Sequence, residues 1–562
     1  MIAGIDLGTT HSLIGCYTEN GPRLFPNALG SFLTPSAVSI DDKGHIVVGQ
    51  AARDRLVSHP QLSVANFKRW MGSDRETVLG THRFRPEELS ALVLRSLVAD
   101  AEAALGESVS EAVISVPAYF SDAQRKATHA AGELAGIKVE RLINEPTAAA
   151  LAYGLDQEPD GTRFLVLDLG GGTFDVSILE MFEGIVEVHA SAGDNFLGGE
   201  NFLDILETAF LEDNRLDKPN LDVHARAQLR RRLEVAKREL GIRQEVHVEQ
   251  DIQSRHIDWR INEPRFAGLA EPLVERMRVP LERAMRDAHL ETSDLDAIVL
   301  VGGASRMPLV SRLVSRMFLK LPLRHVDPDQ GVAMGACIAA GLKARNQQLQ
   351  ETILTDVCPY TLGVSISRMD DNNQRLDGFF EPIIHRNSTV PVSREDTLHP
   401  VHDGQKVVSI EVYQGENPMV RNNIKLGEID IPLNPKLPRG ENAVTVRFTY
   451  DIDGLLQVEA YAKATGRHHE LILEQNPGIL TPAQIQERLA RLADIKVHPR
   501  DKQENLALLA RAERLYEERL DQRDVLQEWI TRFRGALDQQ DEKLIRAHRS
   551  ELSNALSSLE AD

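Results

Sequence analysis

Several kinds of protein are excluded by what this chain has little of. Cysteine occurs three times in 562 residues, at Cys16, Cys337 and Cys358. That odd number, without metal-ligand spacing, excludes a disulfide framework and reads as small buried residues in a reducing compartment. No apolar run reaches the roughly 20 residues that cross a bilayer, and no leader precedes the first strand, so a cytoplasmic protein without membrane attachment is expected. Positive charge is in deficit: 64 Lys and Arg stand against 84 Asp and Glu, a net charge of −20. A phosphate-backbone partner such as DNA is therefore not expected. Neither a GxxxxGK[ST] loop nor a GxGxxG turn opening a helix occurs, which removes the Walker and Rossmann routes to a nucleotide.

What is present is ordinary for a soluble globular chain, 42% hydrophobic and 26% charged. Its length is too great for one core and implies three or four domains. The stretch DLGGGTFD, residues 168 to 175, sets three glycines between two aspartates. Phe164-Leu-Val-Leu before it and Val176-Ser-Ile-Leu after it read as strands. Plain hairpin chemistry accounts for one or two glycines and gives the carboxylates no role. A phosphate cradle accounts for both, because bare N–H groups approach an anion while aspartates hold a cation. The chain also opens on Asp6-Leu-Gly-Thr-Thr10, the same strand-Asp-x-Gly-Thr plan 162 residues earlier. Two such turns predict two similar half-domains that hold a nucleotide between them.

Residues 1 to about 345 alternate apolar strands with amphipathic helices, as in α/β proteins. From Pro359 to about Pro477 a period of two takes over, as in Lys406-Val-Val-Ser-Ile-Glu-Val-Tyr and Ala443-Val-Thr-Val-Arg-Phe-Thr-Tyr, with Asp453-Gly454 as a turn. This predicts a β-sandwich. Thr481-Pro-Ala-Gln484 then supplies helix-start signals, His498-Pro499 interrupts, and helices are expected from about Asp501, Asp521 and Gln540. Their apolar positions include Leu506, Leu509, Leu515, Trp529, Ile530 and Phe533.

Nucleotide hydrolysis needs phosphate charge stabilisation, a positioned water and a cation. Asp6 and Asp168 end equivalent strands and can converge on one Mg²⁺ through waters. Thr9, Thr10 and Thr173 offer hydroxyl and N–H donors to phosphate oxygens. Asp175 and Glu145 are candidates to orient a water, and Lys68 supplies positive charge for a γ-phosphate. Taken singly, a solvated or salt-bridged surface group explains any of these; the two aspartates with both glycine loops are the stronger signal.

GIDLGTT, VPAYFSDAQRKAT (116–128), INEPTAAALAYGL (143–155), DLGGGTFDVSILE (168–180), GDNFLGGENF (193–202) and VGGASRMP (301–308) resemble the signature blocks of the DnaK-type, seventy-kilodalton heat-shock chaperone family. The resemblance covers nearly the whole chain. It implies a multidomain protein: an actin-like α/β ATPase domain of two ribonuclease-H-like lobes (1–345), an interdomain linker (346–358), a β-sandwich peptide-binding domain (359–478) and a C-terminal α-helical lid (479–562). It implies ATP and ADP with Mg²⁺, K⁺ being a further candidate ion. Nucleotide contacts are implied at Gly8, Thr9, Thr10, His11, Gly170, Gly171, Gly172, Thr173, Gly198, Gly199 and Glu200. An adenosine clamp is implied from Glu234, Lys237 and Arg238 facing Gly302, Gly303, Arg306 and Asp329; the first three share a helix face by spacing alone. Pro117 and Arg125, with linker residues Ile353, Leu354 and Asp356, resemble the family's interdomain relay, and Tyr119, Asp122 and Arg141 its J-domain contact surface. Peptide contacts are implied at Val364, Leu398, Val401, Gln405, Val408, Ile410 and Leu455. In Leu455-Leu-Gln-Val-Glu-Ala-Tyr the apolar face is Leu456, Val458 and Ala460, so Leu455 is either a capping contact or a groove residue.

Some features depart from the family pattern. Gly241 stands where a serine is usual, which removes one adenosine hydrogen bond. The linker Thr352-Ile-Leu-Thr-Asp356 carries two threonines and buries fewer methylenes, at about 0.8 kcal/mol each. The segment after Gly241 through Ile261 is short where exchange factors grip, so a GrpE-type partner is expected to be dispensable. The bundle after residue 480 is short and lacks an acidic tail. VISVPAYFSD, HASAGDNFLGGE, CPYTLGV and VYQGEN together resemble the HscC branch of bacterial paralogues. The expected function is ATP-driven capture of extended apolar segments of unfolded polypeptides, helped by a J-domain partner. The alternatives are a co-chaperone that binds ATP and hydrolyses little, an actin-like assembly protein, or a sugar kinase.

Overall fold

Segments such as Arg163–Leu169 and Ala297–Val301 are apolar almost throughout and form strands buried on both faces. The computed structural model describes residues 1–562 apart from 42, 155–157, 183–184, 217–220, 253–254, 324–325, 345–352, 355, 370–374, 452–453, 455, 474–502, 520–521 and 562. The chain divides into two units, Met1–Pro359 and Tyr360–Asp562.

Two main sheets organise the first unit. One runs Lys138–Asn144, Glu111–Val116, Ile2–Asp6, His11–Thr18, Gly21–Leu24; the other runs Ala297–Val301, Arg163–Leu169, Phe174–Phe182, Ile185–Asp194, Ile353–Leu354. Both follow one plan. A central strand, Ile2–Asp6 or Arg163–Leu169, lies parallel to one neighbour and antiparallel to the strand that follows it through a hairpin. The outer parallel strand of the first sheet has a minimal counterpart in the second, the single parallel bridge of Val299 with Leu323. Asp6 pairs with Leu13 and Asp168 with Asp175, so both aspartates end central strands beside their hairpin loops.

Helices Glu145–Ala152 and Gly331–Lys343 pack together in a core with Val113 and Ile143 of the first sheet and Phe164, Val166, Val299 and Val301 of the second. Their approach is close enough that a Cβ on Gly335 would stand 1.7 Å from the Ala148 carbonyl oxygen. The hairpin Glu245–Ile252 with Arg255–Asn262 alternates strictly between buried and exposed residues. It sends Val246, Val248, Ile257, Trp259 and Ile261 into the core beneath the second sheet.

The second unit is a sandwich of two antiparallel sheets, Arg375–Ile384, Leu362–Met369, Val407–Gln414, Ile424–Pro432 and Val392–Leu398, Val444–Tyr450, Leu456–Ala462, Arg467–Leu473. Leu456, Val458 and Ala460 are buried, the face that alternation predicts. Helices Gln503–Glu518, Arg523–Gln539 and Glu542–Ala561 enclose Leu515, Ile530 and Phe533, with Leu509 and Trp529 packed against that core. The helix-start signal at Thr481, the His498-Pro499 interruption, the Asp453 turn position and the glutamine-rich stretch before residue 351 lie outside the described residues. Cys16, Cys337 and Cys358 are all buried. No helix among the described residues is long and apolar enough to cross a membrane.

Gly335→Ala separates helix propensity from packing. Propensity alone favours alanine by about 1 kcal/mol, but the new methyl meets a backbone carbonyl that cannot swing aside, and overpacking costs about 1–3 kcal/mol. The variant should unfold at lower urea than wild type; equal or greater resistance would show that the two helices tolerate separation.

Candidate functional site

Hairpins place the phosphate-type loops. Gly8–Thr10 joins Ile2–Asp6 to His11–Thr18, and Gly170–Thr173 joins Arg163–Leu169 to Phe174–Phe182, closed by Gly170 N–H donating to the Thr173 carbonyl at 3.1 Å. A Cβ on Gly171 would come within 2.3 Å of Thr10 Cγ2, so the two repeated loops touch and glycine is required at the contact. A third segment joins them: Gly199 N–H donates to the Gly170 carbonyl at 3.0 Å and Glu200 N–H to the Gly171 carbonyl at 2.9 Å.

These loops border a cleft of about 920 Å³. Asp6, Gly8, Thr9, Thr10, His11, Lys68, Glu145, Asp168, Gly170, Gly171 and Thr173 line it, together with Gly199, Glu200, Glu234, Lys237, Arg238, Gly302, Gly303, Arg306 and Asp329. Asp175, Gly172 and Gly198 do not line it. Gly241, at the position where the family pattern has serine, also lines the cleft and presents no hydroxyl.

The cleft floor is crowded with carboxylates. Lys68 Nζ lies 2.9 Å from Glu145 Oε1, both side chains being buried, and 5.4 Å from the centre of the Phe120 ring. Ser115 Oγ donates to Asp6 Oδ1 at 2.8 Å, and Tyr119 N–H donates to Asp175 Oδ1 at 2.8 Å. Asp175 Oδ2 is buried without a hydrogen-bond partner. Burial first, and the Glu145 charge second, push Asp6 and Asp175 each up to about 7 and raise Asp168 well above the ordinary aspartate value. Negative charge gathered around one ammonium is what a bound cation relieves. The donors suit a hydrated divalent ion, since two carboxylates at loop ends leave most of the shell to water and phosphate oxygens. Among the described residues no group of three or more His, Cys, Asp or Glu side chains is arranged to hold an ion directly.

The proposed adenosine wall is internally braced. Glu234 bonds to Lys237 at 2.6 Å and to Arg238 at 2.9 Å, and Lys237 Nζ also donates to the Gly199 carbonyl at 2.9 Å. Arg306 Nε donates to Asp329 Oδ2 at 2.9 Å. These contacts hold the side chains in place around the opening.

A second network leads away from the floor. Arg125 Nη2 donates to Asn144 Oδ1 at 2.7 Å and to the Ala118 carbonyl at 3.1 Å, just after Pro117. Asn144 Nδ2 donates to Asp356 Oδ2 at 2.5 Å, and Ile353–Leu354 pairs in parallel with Ile185 and Val186 at the edge of the second sheet. Pro117, Arg125, Ile353, Leu354 and Asp356 therefore sit on one path, whose next backbone step is the Tyr119 N–H bound to Asp175. Tyr119 Oη accepts from Arg283 Nη1 at 3.1 Å. Asp122 opens the helix Asp122–Leu134, which Ser121 caps, and Arg141 lies in the strand Lys138–Asn144.

Sequence reasoning missed Ser115, Asn144 and Phe120. Ser115 carried a signal, a polar residue inside the apolar run of the strand Glu111–Val116; Asn144 and Phe120 carried none. In the second unit Val364 and Ile410 are fully buried, while Leu398, Val401, Gln405 and Val408 are half-buried. Gln405 braces its own loop, accepting from Val401 N–H at 2.9 Å and donating to the Val407 carbonyl at 2.8 Å. Leu455 lies outside the described residues.

Burial raises Asp356 above the ordinary aspartate value, against the pull of Arg125. A raised carboxyl favours the docked segment at low pH and weakens it as pH climbs through the raised value. Protection of the Ile353 and Leu354 amides from hydrogen exchange, corrected for intrinsic rate, should therefore fall between acidic and neutral pH. In Asp356→Asn it should stay high and flat. A wild-type profile as flat as the variant's would remove Asp356 from the docking balance.

The Hsp70 protein family model matches residues 2–79 and 75–562. The chaperone protein DnaK of Thermotoga petrophila is 42% identical over 486 residues, spanning 84% of this chain and 80% of that protein. The chaperone protein DnaK of Thermosipho africanus is 37% identical over 564 residues, spanning 96% and 93%. With two matched phosphate-type loops facing one cleft, a β-sandwich and a helical bundle in the same chain, the chain belongs to the Hsp70 family, of the DnaK type.

Proposed function

We propose that the chain is an ATP-dependent molecular chaperone that hydrolyses ATP in the cleft of the first unit and holds extended apolar peptide segments on the β-sandwich. The observation that carries this is the pair of equivalent hairpins presenting Asp6 and Asp168 to one cleft beside the buried Lys68–Glu145 pair. The duplicated strand order supports an actin-like core of two ribonuclease-H-like lobes. We assign 1–345 to that core, 346–358 to the linker, 359–478 to the peptide-binding domain and 479–562 to the lid.

Each cleft residue has a task in phosphoryl transfer to water. Thr9, Thr10 and Thr173, with the Gly171 N–H, present donors to phosphate oxygens, while the Gly8 and Gly170 N–H groups brace their own hairpins on Ser12 Oγ and the Thr173 carbonyl. Asp6 and Asp168 hold a hydrated Mg²⁺, which neutralises phosphate charge when bound. Lys68, kept in place by Glu145, faces the γ-phosphate. Asp175, pinned through Oδ1 by the Tyr119 N–H, keeps Oδ2 for the attacking water. Glu234, Lys237 and Arg238 clamp the nucleoside against Gly302, Gly303, Arg306 and Asp329, while Gly198, Gly199 and Glu200 close over the phosphates.

On the sandwich, Leu398, Val401, Gln405, Val408 and Leu455 contact the peptide, over a floor supported by Val364 and Ile410. One substrate leucine contributes roughly 2–3 kcal/mol, and micromolar affinity needs about 8 kcal/mol. Backbone hydrogen bonds supply much of the remainder, so sequence selectivity is weak. Tyr119, Asp122 and Arg141 form a surface for a J-domain partner. The short hairpin after Gly241 supports working without a GrpE-type exchange factor, and the four short blocks support placement on the HscC branch. The net charge of −20 favours protein clients over nucleic acid or anionic membrane, and the cytoplasm is the proposed compartment. The reading as a co-chaperone with little hydrolysis is disfavoured because Lys68, Glu145 and Thr173 are all in place at the cleft.

Thr173→Ala should abolish single-turnover ATP hydrolysis while sparing ATP binding. A leucine-rich peptide should speed hydrolysis in wild type and fail to do so in Val408→Asp. Unchanged turnover in the first variant would remove Thr173 from the mechanism. Peptide binding without any stimulation would favour a passive holdase over a coupled chaperone.

A further inference from the structure

Behind the first phosphate loop, a short row of side chains leads to a residue that no motif singles out. Arg53, on the helix Gln50–Ser58, places Nη1 2.8 Å from His11 Nε2, and His11 Nδ1 lies 3.3 Å from Thr10 Oγ1. A guanidinium donates and has no lone pair to offer, so Nε2 of His11 is the acceptor of that bond. The single ring proton then belongs on Nδ1, where it meets Thr10 Oγ1. That oxygen receives a hydrogen bond, and its own hydroxyl proton must point elsewhere. Among the described residues no other side chain or carbonyl bonds to Thr10 Oγ1, and Thr10 lines the cleft. Its methyl is set against Gly171, where an added Cβ would stand 2.3 Å away.

We propose that Arg53 is a positioning residue that locks His11 in the Nδ1–H form and thereby makes the Thr10 hydroxyl an obligate donor to an anionic phosphate oxygen. This rests on the cleft being the nucleotide site. The opposite tautomer would reverse the row: Nδ1 would accept the Thr10 proton and turn the hydroxyl's lone pairs toward the phosphate, a repulsive arrangement. The His11 ring stays neutral through the physiological range. Burial first, then the Arg53 and Arg238 charges, hold His11 down to about 4, and Glu234 acts the other way. Arg53 thus influences the phosphate through an uncharged ring.

The test uses the full chain labelled with nitrogen-15 histidine. Long-range proton–nitrogen spectra at neutral pH, with His11 identified by the loss of its signals in His11→Asn, should show the proton on Nδ1. A proton on Nε2 overturns the proposal without any Arg53 variant being needed. Arg53→Met, which keeps the stem and loses the donor, should release the tautomer and slow single-turnover ATP hydrolysis about tenfold, the effect of one hydrogen bond to a charged group. ATP affinity should move less than the rate. Arg53→Lys still donates and should restore both tautomer and most of the rate. An unchanged tautomer and rate in Arg53→Met would also overturn the proposal. A wild-type chain that hydrolyses no ATP would sink the chaperone reading instead, and the tautomer would still decide the relay.

Discussion

One buried ammonium, that of Lys68, stands among the carboxylates of Asp6, Glu145, Asp168 and Asp175, and much of the first unit is arranged around that imbalance. A charge taken out of water is costly unless it is paired and hydrogen-bonded. Glu145 pairs with Lys68; Ser115 supports Asp6; Tyr119 supports one oxygen of Asp175 and leaves the other without a partner. A fold selected for stability alone would replace several of these groups with apolar side chains of similar volume. Their retention in the floor of a cleft, where a cation and an anionic ligand would complete the balance, is the physical signature of a working site.

The same constraint explains how the rest is joined. Tyr119 holds Asp175 through its N–H, lies next to the Ala118 carbonyl that Arg125 grips, and accepts through Oη from Arg283 on the helix Glu263–Asp287. Arg125 reaches Asn144, the residue before Glu145, and Asn144 reaches Asp356 at the end of the docked Ile353–Leu354 strand. The Ile353–Leu354 strand therefore has a short covalent and hydrogen-bonded route to Glu145 and Asp175. Such contiguous hydrogen-bonded chains are one physical route by which two sites can be coupled.

Contiguous motifs were legible in the sequence, and relations through space were not. Asp6 and Asp168 were readable because each sits in its own strand-and-glycine-loop block, and the loop repeat encodes their equivalence directly. The period-two alternation around Leu456, Val458 and Ala460 and the helical spacing around Ile530 and Phe533 were readable for the same reason, since a local period fixes a buried face. Arg53 was invisible: it lies 42 positions from His11, in a helix whose pattern suggests only a solvated face. Asn144 was hidden because its partners come from positions 125 and 356. Val408 and Ile410 share a strand face by period two, yet Val408 is half-buried and Ile410 fully buried, a difference set by what packs over each position rather than by the local period.

The central claim is that the two repeated hairpins act together on one hydrated cation and its nucleotide. Calorimetric titration of ADP with and without Mg²⁺, in wild type, Asp6→Asn and Asp168→Asn, tests it most directly. The account predicts that Mg²⁺ tightens ADP binding in wild type, and that either substitution removes most of that gain, by about 10- to 100-fold as for other groups that orient a metal's ligands. ADP binding indifferent to Mg²⁺, or a loss confined to one aspartate, would contradict the shared site.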